Sequence, residues 1–579
     1  MNLWPVLLYA RTLRALRPMQ LAYLPIRRLQ RHLRAALPGA YARLYSRQAT
    51  PTGTRPSGLA ALAERISEIL GGGDHNRRGS RRDVIRVLDQ DVSLRCVDWE
   101  ADVRPALWAY HLHYFDAAPP LALAAWRGDR ESGQLLAMWI RQWIAGCRVG
   151  RGPGWDPFPL SQRLVNWIWC DALGSAWADA ALRLELRSSA LQQTAYLADH
   201  MEFQLMGNHL LKNAKALYLA ALVWGHGSRA ERWRARAERL LAREVDEQVL
   251  GDGGHFERSP MYHDMVYQDL LEVALIAAAL GVPAPVPRDV LRRMAAARAA
   301  LRHPDGMWAR FNDVVDGLVA TPGQVDAIQG LYEPDGQPVP MAALALPDSG
   351  YFGYRDESRG EYLVADAGPP GPRYQPGHAH CDLLSFELSL WGERWIVDPG
   401  ASGYADDPFR AYARSTRAHN TLVIGGREQS ELWGSFRMGR SARVAWARTR
   451  VGSDVVWELD GAYRPYYDDR ILHRRVFSRT RDGLWRVRDT VSGADGATIE
   501  GALHFHPSVT VELQGNGLVC RRGDRRLVLR WEEVLASRLE RSQHEPPSGW
   551  YFPRYGIAEP TITVRYRQGP EAGFQIVPG

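Results

Sequence analysis

Three histidines and an aspartate in the second half of the sequence are close enough along the chain to bind a metal and to contact a substrate. His378 and His380 stand two residues apart in Gly-His-Ala-His-Cys-Asp, Asp398 lies in Val-Asp-Pro-Gly, and His419 lies in Arg-Ala-His-Asn-Thr-Leu. His380, Asp398 and His419 supply two nitrogens and one oxygen, which suits Zn²⁺, and Asp382 could orient a ligand. His378 is then left over to face a substrate, and in an extended strand it would share a face with His380. This combination favours an enzyme; ordinary buried histidines are the alternative.

A second polar set lies upstream, in a segment with helical periodicity. Asn208, Lys212 and Lys215 fall at i, i+4 and i+7, so an amide and two ammonium groups share one helix face beside His209. These two lysines are the only ones in a chain whose other fixed cations are arginines. Lysine is a compact point charge, so this pattern indicates a binding role, and a solvated helix face is the alternative.

Tyr262 belongs to a predicted helix start. Ser259 and Pro260 have the types expected of an N-cap and a first helical residue, which places Tyr262 in the first turn. Such a tyrosine is either a packing residue or a catalytic phenol. The aromatic and polar segments 108–116 and 155–163 either line the same cleft or pack in a core, and we take Trp155 as a candidate substrate contact.

Composition limits the classes of partner. The chain has 579 residues, more than one hydrophobic core usually supports, with 46% hydrophobic and 24% charged residues. Its net charge of +7 favours an anionic partner such as nucleic acid, a membrane or an acidic polysaccharide. No nucleic-acid-binding signature occurs, whereas the 21 tryptophans suit sugar rings as well as cores. The five cysteines are odd in number and widely spaced, which argues against a disulfide framework.

The N-terminal segment has two interpretations. The first apolar run is too short for a secretory signal, and no later run is long enough for a membrane span. Residues 9–37 place arginines among Leu, Ile and Tyr at helical spacing. They form either a peripheral contact with an acidic membrane surface or an arm packed on its own domain. We therefore expect the cytoplasm or the periphery of the inner membrane, with the periplasm not excluded.

The hydrophobic periodicity changes once along the chain. From about residue 95 to 315, apolar residues recur at helical spacing, and after about residue 350 they alternate as in antiparallel strands. We predict an α+β multidomain protein in which an N-terminal helical arm and linker (1–94) precedes a helical domain (95–320) and a β-sandwich domain (345–579). Residues 72–82 and 321–349 are predicted linkers.

These motifs, in this order, resemble the heparinase II/III family of polysaccharide lyases, which includes heparin, heparan sulfate and alginate lyases. The matching segments cover most of the chain: 155–167, Asn208-His209, 257–262, 377–386, 398–400 and 417–421. The resemblance implies an α/α toroid followed by an antiparallel β-sandwich, with the active-site cleft between them. The helical and strand periodicities agree with that architecture.

The resemblance also implies β-elimination on a 4-linked uronic acid within an acidic polysaccharide. The C5 proton of such a sugar is weakly acidic, so the neighbouring carboxylate must be neutralised before a base can remove it. Asn208 and His378 resemble the neutralising pair, and His209 and Tyr262 resemble the base and the acid, with Tyr262 serving both roles in a syn elimination.

By the same resemblance, His380, Asp398 and His419 hold a structural Zn²⁺. Lys212, Tyr404, Arg414 and Trp155 are the candidate substrate contacts. The alternatives are a uronate C5-epimerase of a cell-surface glycan, which returns a proton to C5, and a non-catalytic acidic-glycan-binding protein. The sequence makes no prediction of the oligomeric state.

Overall fold

The first half of the chain is helical. The computed structural model describes residues 4–46, 58–72, 83–88, 90–99, 106–334, 336, 342–452 and 454–579. Its helices are α1 (Trp4–Ala15), α2 (Pro18–Ala36), α3 (Pro38–Ser46), α4 (Leu59–Gly71), α5 (Ala106–Tyr114), α6 (Ala118–Trp126), α7 (Arg130–Gly146), α8 (Pro157–Ala172), α9 (Ala180–His200), α10 (Gly207–Val223), α11 (Gly227–Gln248), α12 (Pro260–Ala279), α13 (Arg288–Ala300), α14 (Pro322–Tyr332) and α15 (Pro408–Arg414).

The helices from α4 to α14 form the α/α toroid that the sequence predicts. α10 is buried along nearly its whole length and packs against α8, α11 and α12. α4 lies within residues 1–94, which the sequence assigned to the N-terminal arm and linker. Its Leu59 and Ile66 nevertheless join the same apolar core as Leu121 and Trp139. The toroid therefore includes residues that precede position 95.

Side-chain capping begins α12 and α14, whereas α10 begins after Met206 without a side-chain cap. Ser259 caps α12 by accepting a hydrogen bond from the Tyr262 amide at 3.2 Å, and Pro260 is the first helical residue, as predicted. α14 begins with a capping box between Thr321 and Gln324 inside the predicted 321–349 link, so this part is helical. Residues 73–82 of the other predicted linker lie outside the described residues.

The second half is antiparallel β-structure. A short hairpin, β1 (Val84–Val87) and β2 (Gln90–Ser93), precedes it within the helical half. The later strands are β3 (Ala343–Leu346), β4 (Tyr351–Asp356), β5 (Glu361–Asp366), β6 (Phe386–Leu390), β7 (Glu393–Ile396), β8 (Leu422–Ile424), β9 (Leu432–Trp433), β10 (Arg437–Met438), β11 (Arg443–Arg450), β12 (Val455–Arg464), β13 (Leu472–Thr480), β14 (Trp485–Ser492), β15 (Ile499–His504), β16 (Thr510–Leu513), β17 (Gly517–Arg522), β18 (Arg525–Arg541), β19 (Gln543–His544), β20 (Pro547–Ser548), β21 (Trp550–Arg554), β22 (Ile557–Pro560) and β23 (Ile562–Pro578).

Two sheets enclose the core of the β domain. Strands β3 to β7 form one sheet in chain order, and the larger sheet runs β11-β12-β13-β14-β23-β18-β17-β16, with β15 and β8 attached. The apolar face of β6 meets the larger sheet, where the Phe386 ring lies 5.5 Å from that of Phe477 and 6.4 Å from that of Phe574, measured between centroids. This arrangement is the predicted antiparallel β-sandwich.

The connection between α13 and α14 joins the two domains. His303 Nε2 lies 2.6 Å from Glu387 Oε2 on β6, and Asp305 Oδ2 accepts a hydrogen bond from Arg394 Nε on β7 at 2.6 Å. Asn312 and Asp313 follow in the same connection. In the described part of the chain, none of the helices combines the length and apolar character of a membrane span.

Candidate active site

A cavity of about 460 Å³ lies between the toroid and the β domain. The toroid side is formed by α5, α8, α10 and α12, and the β side by the loop around His378, by Tyr404 and by Phe436. The predicted site residues that line it are Asn208, His209, Lys212, Tyr262, His378 and Tyr404. Residues from both halves of the sequence therefore meet in one cleft.

An aromatic cluster joins the two halves at the centre of the cavity. The Tyr262 and His378 rings stack with centroids 3.9 Å apart and planes 29° apart. The Tyr262 and Tyr404 hydroxyl oxygens lie 2.9 Å apart. Burial, and after it Tyr404 and the Asp313 carboxylate, raise the pKa of Tyr262 well above its usual value. The phenol therefore holds its proton in the free protein.

Asn208 sits at the start of α10 beside the buried carboxylate of Glu257. Its Nδ2 donates to Glu257 Oε1 and Oε2 at 3.1 and 2.9 Å, and Glu257 Oε2 also lies 3.6 Å from His378 Nε2. Gly207, just before it, has φ +55°, and a Cβ there would approach Gln375 Oε1 to 2.3 Å. Glycine is required at this close approach.

Asp313 fixes the orientation of His378. Its Oδ2 lies 2.8 Å from His378 Nδ1, its Oδ1 lies 2.9 Å from His380 Nε2, and Arg410 Nη2 donates to Oδ2 at 3.0 Å. Burial alone would raise the pKa of Asp313, but the Arg410 guanidinium and the two imidazoles hold it well below its usual value. The charged carboxylate therefore orients His378, whose other ring nitrogen points towards Glu257.

His209 is placed between Phe158 and Glu202. Its ring centroid lies 4.6 Å from that of Phe158, and its Nδ1 lies 3.3 Å from Glu202 Oε2. Burial alone would lower the pKa of His209, but the Glu202 carboxylate, with a smaller contribution from Glu257, raises it above its usual value. Glu202 therefore makes the imidazole more basic and faces its Nδ1.

The two lysines of α10 are ion-paired. Asp269 Oδ1 accepts hydrogen bonds from Lys212 Nζ at 2.9 Å and from Lys215 Nζ at 2.6 Å, and Lys215 also pairs with Glu272. Both lysines are nearly fully buried and line the cavity. The predicted basic stripe is therefore real, but its charge is balanced by carboxylates of α12.

The predicted zinc residues come together only in part. The His380 and His419 ring centroids lie 5.4 Å apart, and His380 Nδ1 and His419 Nε2 are buried without a hydrogen-bond partner among the described residues. Burial lowers the pKa of His380 to about 3, so its ring is neutral. Asp398 Oδ2 instead lies 2.6 Å from His419 Nδ1, as a group that orients a ligand does. Within the described ranges, no set of three or more His, Cys, Asp or Glu residues is arranged to hold a metal.

Two predicted substrate contacts lie elsewhere. Trp155 is 1% exposed, packs beside Trp143 and Tyr196, and donates from Nε1 to the Cys147 carbonyl at 3.3 Å. Arg414 is 2% exposed and donates to the Ala379 and Gly434 carbonyls at 3.1 and 2.8 Å. Neither lines the cavity, so both predictions are wrong: Trp155 is a core residue, and Arg414 braces the His378 loop.

Sequence reasoning missed five residues that shape the site: Glu202, Glu257, Asp269, Asp313 and Arg410. Glu257 stands in one of the matching segments, directly before Arg258-Ser259-Pro260, but no role was assigned to it. Asp313 follows Asn312 between Phe311 and Val314, and this polar pair is the signal that could have identified it. Arg410 carries no local signal, because one arginine among many is not distinctive.

The fold and the cavity define a protein with an α/α toroid, a β-sandwich and one interdomain site. Residues 98–321 match the family profile described as heparinase II/III N-terminus, and residues 338–576 match heparinase II/III-like, C-terminal. Together these two matches cover most of the chain. The chain belongs to the heparinase II/III family.

Individual relatives agree with this assignment. A heparin-sulfate lyase of Pedobacter heparinus is 26% identical over 47% of this chain and 44% of its own length. FtsZ-localized protein C of Caulobacter vibrioides is 28% identical over 67% of this chain and 64% of its own length. The chain thus spans less than two thirds of the length of these curated relatives.

Solved structures share the fold. A crystal structure of heparinase III superposes with a TM-score of 0.69 at 18% identity, covering 98% of this chain and 93% of that one. A mutant heparan sulfate lyase from Pedobacter heparinus superposes with a TM-score of 0.63 at 18% identity, covering 90% of this chain and 88% of that one. At this identity the likeness concerns the fold alone.

We predict that Asp313→Asn destabilises the protein, because it leaves the buried Arg410 without a charged partner. The expected cost is about 3–5 kcal/mol in the free energy of unfolding, measured by urea denaturation followed by circular dichroism. Asp289→Asn is the matched control, since Asp289 pairs with Arg293 at the surface, where the two side chains are 69 and 45% exposed. An equal, small effect of both substitutions would contradict the role given to Asp313.

Proposed function

We propose that the protein is a polysaccharide lyase that cleaves a 4-linked uronic-acid-containing acidic polysaccharide by β-elimination. The observation that carries the proposal is the cluster of Tyr262, His378 and Tyr404 in a cavity shared by both domains. Relatives of the chain that are named heparin-sulfate lyases support the same chemistry. The reaction removes the C5 proton, breaks the C4–O4 bond and leaves a C4–C5 double bond.

Asn208 and His378 are suited to neutralise the uronate carboxylate. Both line the cavity from opposite domains, and both contact Glu257 in the free protein. A bound carboxylate would accept a hydrogen bond from the side-chain amide of Asn208 and would lie beside His378 Nε2. Neutralisation allows the negative charge that develops at C5 to spread into the carboxylate.

The two remaining groups divide the proton transfers. The raised pKa of Tyr262 keeps the phenol protonated, so we assign it the donation of a proton to the departing O4. His209 then removes the C5 proton with its Nε2, while Glu202 faces Nδ1 and stabilises the imidazolium that forms. The base must be neutral to act, and the acid must be protonated.

Tyr262→Phe is expected to lower the rate by about 10³-fold, because the phenylalanine cannot donate a proton. The assay follows the ultraviolet absorption of unsaturated uronate ends on a panel of acidic polysaccharides. Tyr404→Phe should reduce the rate less, since it removes only the hydrogen bond to Tyr262, and Tyr332→Phe, on α14, is a control outside the cavity lining.

Two outcomes would contradict lyase activity. Solvent deuterium entering C5 without new chain ends would assign the protein to the uronate C5-epimerases. Saturable binding of the polysaccharide, with neither deuterium exchange nor cleavage, would assign it to the non-catalytic glycan-binding proteins.

The division of roles predicts a pH dependence. Because the base must lose its proton, the rate should rise as pH increases through the raised pKa of His209. Glu202→Gln removes the carboxylate that raises this pKa, so the acidic limb of the pH–rate profile should move to lower pH. Glu238→Gln, on the exterior of α11, is the control. An acidic limb that stays in place would favour Tyr262 in both roles.

We propose further that a structural Zn²⁺ binds between His380 and His419. The unpaired His380 Nδ1 and His419 Nε2 fit such an ion, while Asp398 orients His419. Zinc there would tie the His378 loop to the segment at His419. We expect purified protein to contain zinc by elemental analysis, and His380→Ala to lose it while His506→Ala retains it. Protein without zinc after growth in zinc-supplemented medium would refute this site.

A further inference from the structure

The N-terminal helices have an unusual surface composition. Among the residues that the structure describes, twelve of the 21 exposed large apolar side chains lie between Val6 and Leu44. Residues 4–46 contain no aspartate or glutamate, and their arginines are Arg11, Arg14, Arg17, Arg27, Arg28, Arg31, Arg34 and Arg43. The segment α1 to α3, hereafter the arm, is therefore strongly cationic and outwardly apolar.

Helix α2 turns polar groups towards the rest of the protein. Gln20 is 2% exposed. Further along, Arg27 Nη1 donates to the His200 carbonyl at 3.2 Å, Gln30 Nε2 to the Asp199 carbonyl at 3.0 Å, and Arg34 Nη1 to Tyr196 Oη at 3.0 Å. Arg27, Gln30 and Arg34 stand at i, i+3 and i+7, so they form one face of the helix, and that face docks on the end of α9.

The apolar residues of α2 form a separate stripe that faces outwards. Ile26, Leu29 and Leu33 also stand at i, i+3 and i+7, offset from the docked face by one residue, which is about 100° around the axis. They are 42, 58 and 43% exposed. An amphipathic helix that packed on its own domain for apolar reasons would bury this stripe. Here the helix is held by its polar face and by Tyr23, whose ring centroid lies 4.6 Å from that of Phe203, and the aliphatic stripe stays exposed.

We infer that the arm is a docking surface for an anionic phospholipid membrane, with α2 lying in the plane of the interface. The Ile26, Leu29 and Leu33 stripe would enter the acyl boundary, and exposed arginines such as Arg28 and Arg31 would contact lipid phosphates. This inference is independent of the proposed lyase chemistry, because the arm does not line the cavity.

The charge and the apolar stripe of the arm favour a lipid surface over two alternative partners, an acidic polysaccharide and a second copy of the arm. An acidic polysaccharide would satisfy the arginines but offers no apolar phase for three aliphatic side chains. A second copy of the arm would cover the apolar stripe but would bring two sets of arginines together without any acidic partner on either arm. An anionic bilayer supplies both the negative surface and the hydrocarbon.

The arm also reaches the active-site rim. Tyr9 packs on Trp433 of the β9–β10 hairpin at 4.9 Å between centroids, and Arg11 Nη1 pairs with Glu431 Oε1 at 2.5 Å. The same hairpin carries Phe436, which lines the cavity and packs on Tyr404 at 5.7 Å. The membrane surface would therefore lie beside the cleft entrance, which suits a glycan close to the bilayer.

The test is co-sedimentation of the full chain with vesicles of phosphatidylcholine alone or mixed with phosphatidylglycerol. We expect binding only to the anionic vesicles, weakened by added salt. Ile26→Glu/Leu29→Glu/Leu33→Glu should reduce binding by more than about 100-fold, and Arg28→Gln/Arg31→Gln by about 30-fold. Leu184→Glu/Leu535→Glu/Ile557→Glu is the matched control, at residues 54, 66 and 41% exposed, and should bind as the parent does.

Circular dichroism and thermal melting confirm that each variant is folded, and the arginine variant provides a second test should the glutamate variant unfold. Equal binding to both vesicle types, or undiminished binding by the folded arm variants, would overturn the inference. A dimer in analytical ultracentrifugation that the glutamate variant abolishes, without vesicle binding, would overturn it in favour of self-association. If the parent protein bound polysaccharide but not vesicles, and the glutamate variant lost the polysaccharide binding, the arm would be a glycan-binding surface and the inference would be overturned.

Discussion

The buried carboxylate of Asp313 is the interaction on which the site geometry depends. It lies in the connection between the two domains and is shared by His378, His380 and Arg410. Breaking such a buried network would leave an uncompensated charge, so these groups are held in one arrangement. The orientation of His378, and with it the stacking on Tyr262, follows from this one anchor.

The second constraint is the balance of charge inside the cleft. Three groups that would contact the sugar are each paired with a carboxylate. Glu257 contacts Asn208, Glu202 contacts His209, and Asp269 contacts Lys212. Burial and the nearby Tyr404 and Asp313 raise the pKa of Tyr262, which keeps it protonated, whereas the Glu202 and Glu257 carboxylates raise the pKa of His209 in spite of its burial. An acid and a base with separate environments are what an elimination requires.

The sequence predicted those helices whose formation depends on residues only a few positions apart. The patterns at 208–224 and 261–280 predicted helices that the structure has as Gly207–Val223 and Pro260–Ala279, because apolar periodicity and, for the second helix, the Ser259 cap act within a few positions. Asp313 was not predictable in this way, since its partner Arg410 lies 97 residues away. The Trp155 prediction failed because aromatic clusters in a core and in a cleft have the same composition. The zinc site and the cellular location remain predictions.

A crystal structure of Tyr262→Phe with a uronic-acid oligosaccharide bound would show whether the two domains converge on one sugar ring. We expect the uronate carboxylate within hydrogen-bonding distance of Asn208 and His378, and C5 within about 3–3.5 Å of His209 Nε2. An oligosaccharide bound in the cavity with its carboxylate directed away from both groups, or bound only outside the cavity, would contradict this expectation.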